Sequence, residues 1–189
     1  MSVPLLQQEL MEPEPQRKLI VRPGMVHHWG VDPSTQRIAI ASGDRVQTHS
    51  FPRTDGLARL ADIYDSTKEF AQDVAYACPP GFILVEQPSG QNPNLELVYA
   101  VGVIIAALQE ACPGVRIETM PPMSWKKLAT GRGNLSKINP DTKKVWRDRE
   151  EYGVLKWARA NGYQGMSWDE ADALGIAEAA RRSVHLEAR

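Results

Sequence analysis

Phe82-Ile83-Leu84-Val85-Glu86 is a run of four apolar residues closed by a carboxylate, and Pro79-Pro80-Gly81 stands directly before it. An apolar run this short, bounded by residues that end helices, reads as a strand buried on both faces. Such strands lie inside a sheet that helices cover on both sides. Glu86 therefore ends a central strand, and the carboxyl ends of central strands are where open α/β sheets bind ligands.

Upstream of this strand, Trp29-Gly30-Val31 enters another that ends at Asp32-Pro33. Ile38 and Ile40, then Val46 and Thr48, alternate on either side of Gly43-Asp44, a two-residue hairpin signal. Asp55 is placed to cap a helix whose apolar face is Leu57, Leu60, Ala61, Tyr64, Ala71, Val74 and Ala75, stopped by Pro79-Pro80-Gly81. Downstream, Asn94 caps a helix that is apolar nearly all round, and Gly102 in its middle predicts close packing against a neighbour. Val115-Arg116-Ile117-Glu118 reads as a further strand, followed by a short helix around Trp125-Lys126-Lys127-Leu128 and the loop Gly131-Arg132-Gly133-Asn134. Helices are predicted from about Asp141 to Ala160 and from Ser167 to about Arg182. This order suits a mixed sheet with helices on both faces.

The chain has 189 residues, 42% hydrophobic and 24% charged, enough for one well-cored domain with an extension. Residues 1–27, interrupted by Pro4, Pro13, Pro15 and Pro23, carry no sustained apolar period and read as an N-terminal extension. Met25 is an alternative start. Residues 28–189 form the organised domain. No apolar run reaches membrane-spanning length and the N-terminus lacks a signal-peptide pattern, which predicts a cytoplasmic protein. Cys78 and Cys112 have no Cys or His companions at metal spacing, so two buried, reduced thiols are expected rather than a disulfide framework or zinc site.

The net charge is −1, but it is unevenly spread. Between Lys126 and Arg149 eight Lys and Arg stand against Asp141 and Asp148, giving +6 there and −7 elsewhere. A concentrated basic stretch attracts phosphate even in a near-neutral protein; a solvated helix face is the equally weighted ordinary explanation.

Four carboxylates carry the chemistry. Asp32 and Glu86 end strands, while Asp169 and Asp172 lie three apart, on one face of the last helix. Taken singly, each has an ordinary explanation: Asp32 as a turn residue before Pro33, Asp169 as a favourable charge at a helix N-terminus. Ser167 with Glu170 forms a capping box, which accounts for Glu170. Two carboxylates about 4 Å apart repel by about 4 kcal/mol at an effective dielectric near 20, so a group of four calls for cations. Hard oxygen donors without nearby Cys point to Mg²⁺ or Mn²⁺.

At these residues the sequence resembles the RuvC family of Holliday-junction resolvases, within the RNase H-like superfamily. Gly30-Val31-Asp32-Pro33 resembles the family's first-strand motif and Val85-Glu86-Gln87 its second. Tyr99-Ala100-Val101-Gly102-Val103 is similar to the helix that follows, and Lys126 to Gly133, with Lys137 beyond, to the basic loop that approaches DNA. Asp169-Glu170-Ala171-Asp172-Ala173-Leu174 resembles the closing motif. The resemblance implies an α/β, RNase H-like mixed five-stranded sheet with helices on both faces. It also implies that Asp32, Glu86, Asp169 and Asp172 are catalytic and hold two Mg²⁺, with Mn²⁺ as a substitute. Phosphate contacts would come from Lys126, Lys127, Arg132, Lys137, Lys143 and Lys144. The implied partners are branched DNA, four-way junctions above all, and a second copy in a homodimer; the product is a nick with a 5′-phosphate.

Several features depart from the family pattern. Pro88-Ser89-Gly90 stands where many relatives carry an aromatic residue, Val101 replaces an Arg, and the stretch from Ile138 to Gly165 is longer than usual. A nuclease for forks, flaps or RNA–DNA hybrids, and a non-catalytic branched-DNA-binding module, therefore stand as alternatives, as does a protein with no nucleic-acid role. Trp125, Trp146, Trp157 and Trp168 read mainly as packing residues, Trp168 as a brace for the last helix. His27 and His28 read as strand-entry residues, with substrate contact as the sharper possibility.

Overall fold

Strand β1 (His27–Pro33) puts Trp29 and Val31 on one side of the sheet and Gly30 and Asp32 on the other, because successive side chains alternate. In the computed structural model, residues 27–43, 45–89, 94–135 and 153–187 are described. The extension expected at residues 1–27 lies outside them apart from His27, the first residue of β1.

Strands β2 (Arg37–Ser42) and β3 (Arg45–Ser50) continue as an antiparallel meander through Gly43, whose φ of 67° fits the hairpin turn. Strands β4 (Pro80–Glu86) and β5 (Arg116–Met120) add in parallel on the other side of β1. The order is β3-β2-β1-β4-β5, the expected mixed five-stranded sheet. Phe82, Ile83, Leu84 and Val85 are all buried, as a strand covered on both faces requires.

Two cores follow from the alternation. On one face, Trp29, Val31, Ile38, Ile40, Ile83 and Val85 pack against α1 (Gly56–Ala77) and α2 (Leu95–Ala111). On the other, Ala39, Ala41, Phe82 and Leu84 pack with α3 (Pro122–Thr130), α4 (Gly153–Ala160) and α5 (Trp168–Glu187). Helix α5 is buried without a break from Ala171 to Ala177, wedged between the sheet and α3 and α4. Its many alanines allow that approach. At Gly30 an added Cβ would lie 2.1 Å from the Ala177 amide nitrogen, so any side chain here would have to push β1 and α5 apart. The Trp29 indole N–H, fully buried, donates to the Cys78 carbonyl at 3.0 Å.

Local expectations at several places change. Asp55 makes no side-chain cap hydrogen bond, whereas Asn94 accepts from the Glu96 amide as a cap should. The buried stripe of α1 runs through Ile63, Thr67, Ala71 and Val74, and Leu57 is 86% exposed. Of the predicted face, Ala71 and Val74 are buried and Leu60 and Ala75 pack beside them, whereas Leu57 and Ala61 point outward and Ile63 and Thr67 complete the buried stripe instead. Gly102 is exposed, with nothing within 4 Å of where a Cβ would be, so no neighbour among the described residues packs on it. Of the helix predicted over residues 141–160, Gly153–Ala160 is α4 and the rest lies outside the described residues. The last helix extends beyond Arg182 to Glu187. Cys78 and Cys112 are both buried and free, and burial pushes the Cys112 thiol up to about 11.

Candidate active site

Strand parity decides which side the acids share. Asp32 follows Gly30 on the α5 face, and Glu86 follows Phe82 and Leu84 on that same face. Because Val31 pairs with Val85 in the parallel β1–β4 ladder, Asp32 and Glu86 stand side by side where both strands end. Helix α5 delivers the other two. It runs against β1: Ala173 and Ala177 meet Gly30, Arg181 lies near His27, and Asp169 reaches Arg37 beside the strand end. Asp169 and Asp172, in the first turns of α5, therefore lie at the same end and face of the sheet as Asp32 and Glu86.

The capping box forms as read. The Ser167 amide donates to Glu170 Oε2 at 2.7 Å, and the Glu170 amide to Ser167 Oγ at 3.3 Å. Glu170 is thereby engaged at the helix start. Asp172 is 2% exposed, a burial that carboxylates tolerate only with a partner.

Two contacts that the sequence did not disclose organise this end. The Trp125 indole N–H donates to Glu86 Oε2 at 2.6 Å, and the Trp125 ring lies against Gly175 of α5, where a Cβ would be 2.6 Å away. Trp125 thus links β4, α3 and α5 while orienting a site carboxylate, beyond the packing role its apolar character suggested. Arg37 Nε stands 3.0 Å from Asp169 Oδ2. No local pattern predicts either pair, because the partners lie far apart in sequence and meet only through the sheet.

Among the described residues, no group of three or more His, Cys, Asp or Glu stands at metal-ligating spacing. Trp125 and Arg37 each engage one of the acids from the protein itself. The donor set nonetheless fits a hard divalent cation in kind: oxygen carboxylates from three elements at one sheet end, with both thiols in the core. The cation, where it binds, would be held by Asp32, Glu86, Asp169 and Asp172.

The basic residues divide. Lys126 Nζ donates to the Leu135 carbonyl at 3.2 Å and lies 5.1 Å from the Trp125 ring centroid, which puts its charge beside Glu86's partner. Lys127 and Arg132 are exposed around Gly131, whose φ of 81° ends α3 in a left-handed cap. Lys137, Lys143 and Lys144 lie outside the described residues.

His27 and His28 begin β1 and are about 13–16 Å of strand from Asp32, at roughly 3.3 Å per residue. They line a separate cavity of about 370 Å³ with Trp157, Tyr163 and Arg181, at the opposite end of the sheet from the acids. The strand-entry reading of both histidines holds. Beside that cavity, hydrogen bonds from Arg181 and then Arg182 hold the Glu178 carboxyl below its usual range.

No family profile matches the sequence, and no curated protein matches it. By structure the chain is similar to Thermus thermophilus RuvC, with a TM-score of 0.61 at 18% identity, over 86% of this chain and 97% of that one. Thermus thermophilus RuvC in complex with a Holliday junction substrate gives 0.62 at 18% identity, over 86% and 97%. The yeast mitochondrial Holliday junction resolvase Ydc2 gives 0.49 at 14% identity, over 86% and 81%. The fold is RuvC-like.

Proposed function

We propose that this chain is a divalent-metal-dependent endonuclease that nicks branched DNA, four-way junctions foremost. The reading is supported by Asp32 and Glu86 ending adjacent strands of a RuvC-like sheet on the face that α5 covers, with Asp169 and Asp172 in the first turns of that helix. Acids gathered at one place repel one another, and a divalent cation would offset that repulsion.

Asp32 and Glu86, fixed by adjacent strands, set one edge of the site; Asp169 and Asp172, fixed by a buried helix, set the other. Mg²⁺, or Mn²⁺ in its place, would supply charge neutralisation and Lewis acidity for phosphodiester hydrolysis when bound. The Trp125 indole fixes the orientation of the Glu86 carboxylate. Arg37 neutralises Asp169 on its outer side, which lowers the repulsion a phosphate meets on approach. Lys126 flanks the acids from the α3 side, and Lys127 and Arg132 extend that positive edge outward.

Paired nicking calls for two copies. Helix α2 exposes Leu95 at 65% and Tyr99 at 58%, and Gly102 stands open one turn further on the same stripe. We assign this stripe to a second copy of the chain in a two-fold dimer, where glycine lets two helices approach closely. No helix among the described residues is long and apolar enough to cross a membrane.

The test is cleavage of end-labelled DNA, with a four-way junction beside a fork, a flap, an RNA–DNA hybrid and linear duplex, in Mg²⁺ or EDTA. Paired symmetric nicks confined to the junction and lost in EDTA are the expected result. Cutting of forks and flaps as well would widen the substrate class. Binding without cutting in any metal would overturn the nuclease reading.

A further inference from the structure

A polar cleft of about 580 Å³ opens beside the acids, lined by Gln36, Arg37, Arg53, Thr54, Asp55 and Arg59 among others. Its three arginines come from three separate elements: Arg37 from the start of β2, Arg53 from the loop after β3, Arg59 from α1. Arg59 braces the cleft, donating to the backbone carbonyls of Thr54, at 3.3 Å, and Thr35. Its Nε lies 3.5 Å from Glu96 Oε1, an ion pair by distance, yet this buried N–H is not aligned for a hydrogen bond. Glu96 is 55% exposed, so that pairing is weak and readily exchanged. Arg53 is exposed, and Arg37 is half-exposed with one edge on Asp169. Among the described residues, Asp55 is the one acid that lines the cleft, and it makes no cap on α1.

The position matters as much as the charge. In the order β3-β2-β1-β4-β5, the acids sit where β1 and β4 end and Lys126 flanks them on the β4 side; the arginine cleft lies at the same sheet end on the β2 side, Arg37 reaching Asp169 while Arg59 enters it from α1 on the opposite face. The cleft is one to two strand spacings from β1, roughly 5–10 Å. A nucleic-acid strand advances about 3.4 Å per phosphate, so one crossing the acids reaches the cleft within about three nucleotides.

We infer that the cleft of Arg37, Arg53 and Arg59 seats a backbone phosphate of the bound DNA, on the side of the acids away from Lys126. This rests on the nuclease reading and extends it: the DNA path runs across the sheet end between two basic flanks, only one of which lies in the basic stretch of the sequence. Guanidinium forks match phosphate oxygens in geometry as well as charge, which suits arginine at such a seat.

The test is the salt dependence of four-way-junction binding by the full chain in EDTA, for wild type, Arg53→Gln and Lys126→Gln. Arg53 is chosen because it is exposed, whereas Arg59 holds two backbone segments; a thermal melt of each variant checks folding. Loss of one phosphate contact lowers the slope of log K against log salt by about 0.9, so a fourfold rise in salt weakens Arg53→Gln about 3.5-fold less than wild type. Arg53→Lys should recover most of the slope. An unchanged slope in Arg53→Gln, beside a reduced one in Lys126→Gln, would overturn the cleft while leaving the nuclease reading in place. Absence of salt-sensitive junction binding by the wild type would remove both.

Discussion

Replacing Gly30 by alanine tests the seam on which the site depends. The new methyl would stand 2.1 Å from the Ala177 amide nitrogen and 2.2 Å from the Ala173 carbonyl oxygen, where ordinary contact begins at 3.4 Å. Both obstacles are backbone of a buried helix, so no side chain can turn aside. Relief requires β1 and α5 to part by the difference, about 1.2–1.3 Å. Overpacking of a close-packed interior costs about 1–3 kcal/mol, and with backbone on both sides we expect the upper end, about 3 kcal/mol. Set against a net stability of about 5–15 kcal/mol, the variant remains folded. Parting the seam also carries Asp169 and Asp172 away from Asp32 and Glu86, and a displacement of about 1 Å in a reacting constellation costs about 100-fold in rate. The assays are urea unfolding followed by circular dichroism, and single-turnover cleavage of a labelled junction. An unfolding free energy within about 0.5 kcal/mol of wild type, the range of an inconsequential surface change, would refute the packing of α5 on Gly30. A destabilised protein that cuts at the full rate would instead show that the acids of α5 take no part in the reaction.

Other expectations follow from the same geometry. Glu86→Gln and Asp172→Asn should each abolish junction cutting while metal-free binding, measured by gel shift, stays near wild type; full cutting by either would remove that residue from the site. Trp125→Phe keeps most of the ring against Gly175 but removes the N–H that orients Glu86. It should raise the Mg²⁺ concentration needed for half-maximal cutting more than it changes junction binding, and an unchanged metal titration would leave Trp125 a packing residue only. Glu178, held low by Arg181 and Arg182, contributes stability that is present above the unfolded carboxyl pKa and lost as pH falls through its lower folded value. Glu178→Gln should therefore be less stable than wild type near neutral pH, with the gap closing in acid. Equal unfolding midpoints at pH 7 would contradict the assignment.

What the sequence makes legible is what local chemistry determines. The apolar run before Glu86, the breakers around it and the Gly43 turn each act within a few residues, and they suffice for the strand inventory. The acids are legible for the same reason: two end recognisable strands and two follow a capping box. The α1 face is less so, because apolar residues occur on more than one side of that helix and only the sheet decides which side is covered. Asp55 illustrates a related limit, since an Asp before a helix can cap it or turn toward a loop, and here it lines a cleft. Gly102 reads as a site of close approach, but nothing among the described residues approaches it. Trp125 with Glu86, and Arg37 with Asp169, are pairings of distant positions that only the sheet order brings together.

The near-neutral charge of the chain is not an argument against a nucleic-acid role once distances are considered. At physiological ionic strength screening confines electrostatic influence to about 8 Å, so a phosphate responds to the groups around it rather than to the net charge. An acid-lined site poses a local problem: the carboxylates that gather cations also repel the substrate backbone. Cationic side chains offset this only if they stand within about that same screening length of the acids. Arg37, in contact with Asp169, and Lys126, over the ring that holds Glu86, both meet that condition, from opposite sides. Lys127 and Arg132, exposed beyond Lys126, continue the same edge. On the nuclease reading, the division of positive charge between a clustered stretch and three scattered arginines follows from geometry. A strand lying across the sheet end needs a hold on each side, and the two sides are built from different parts of the chain.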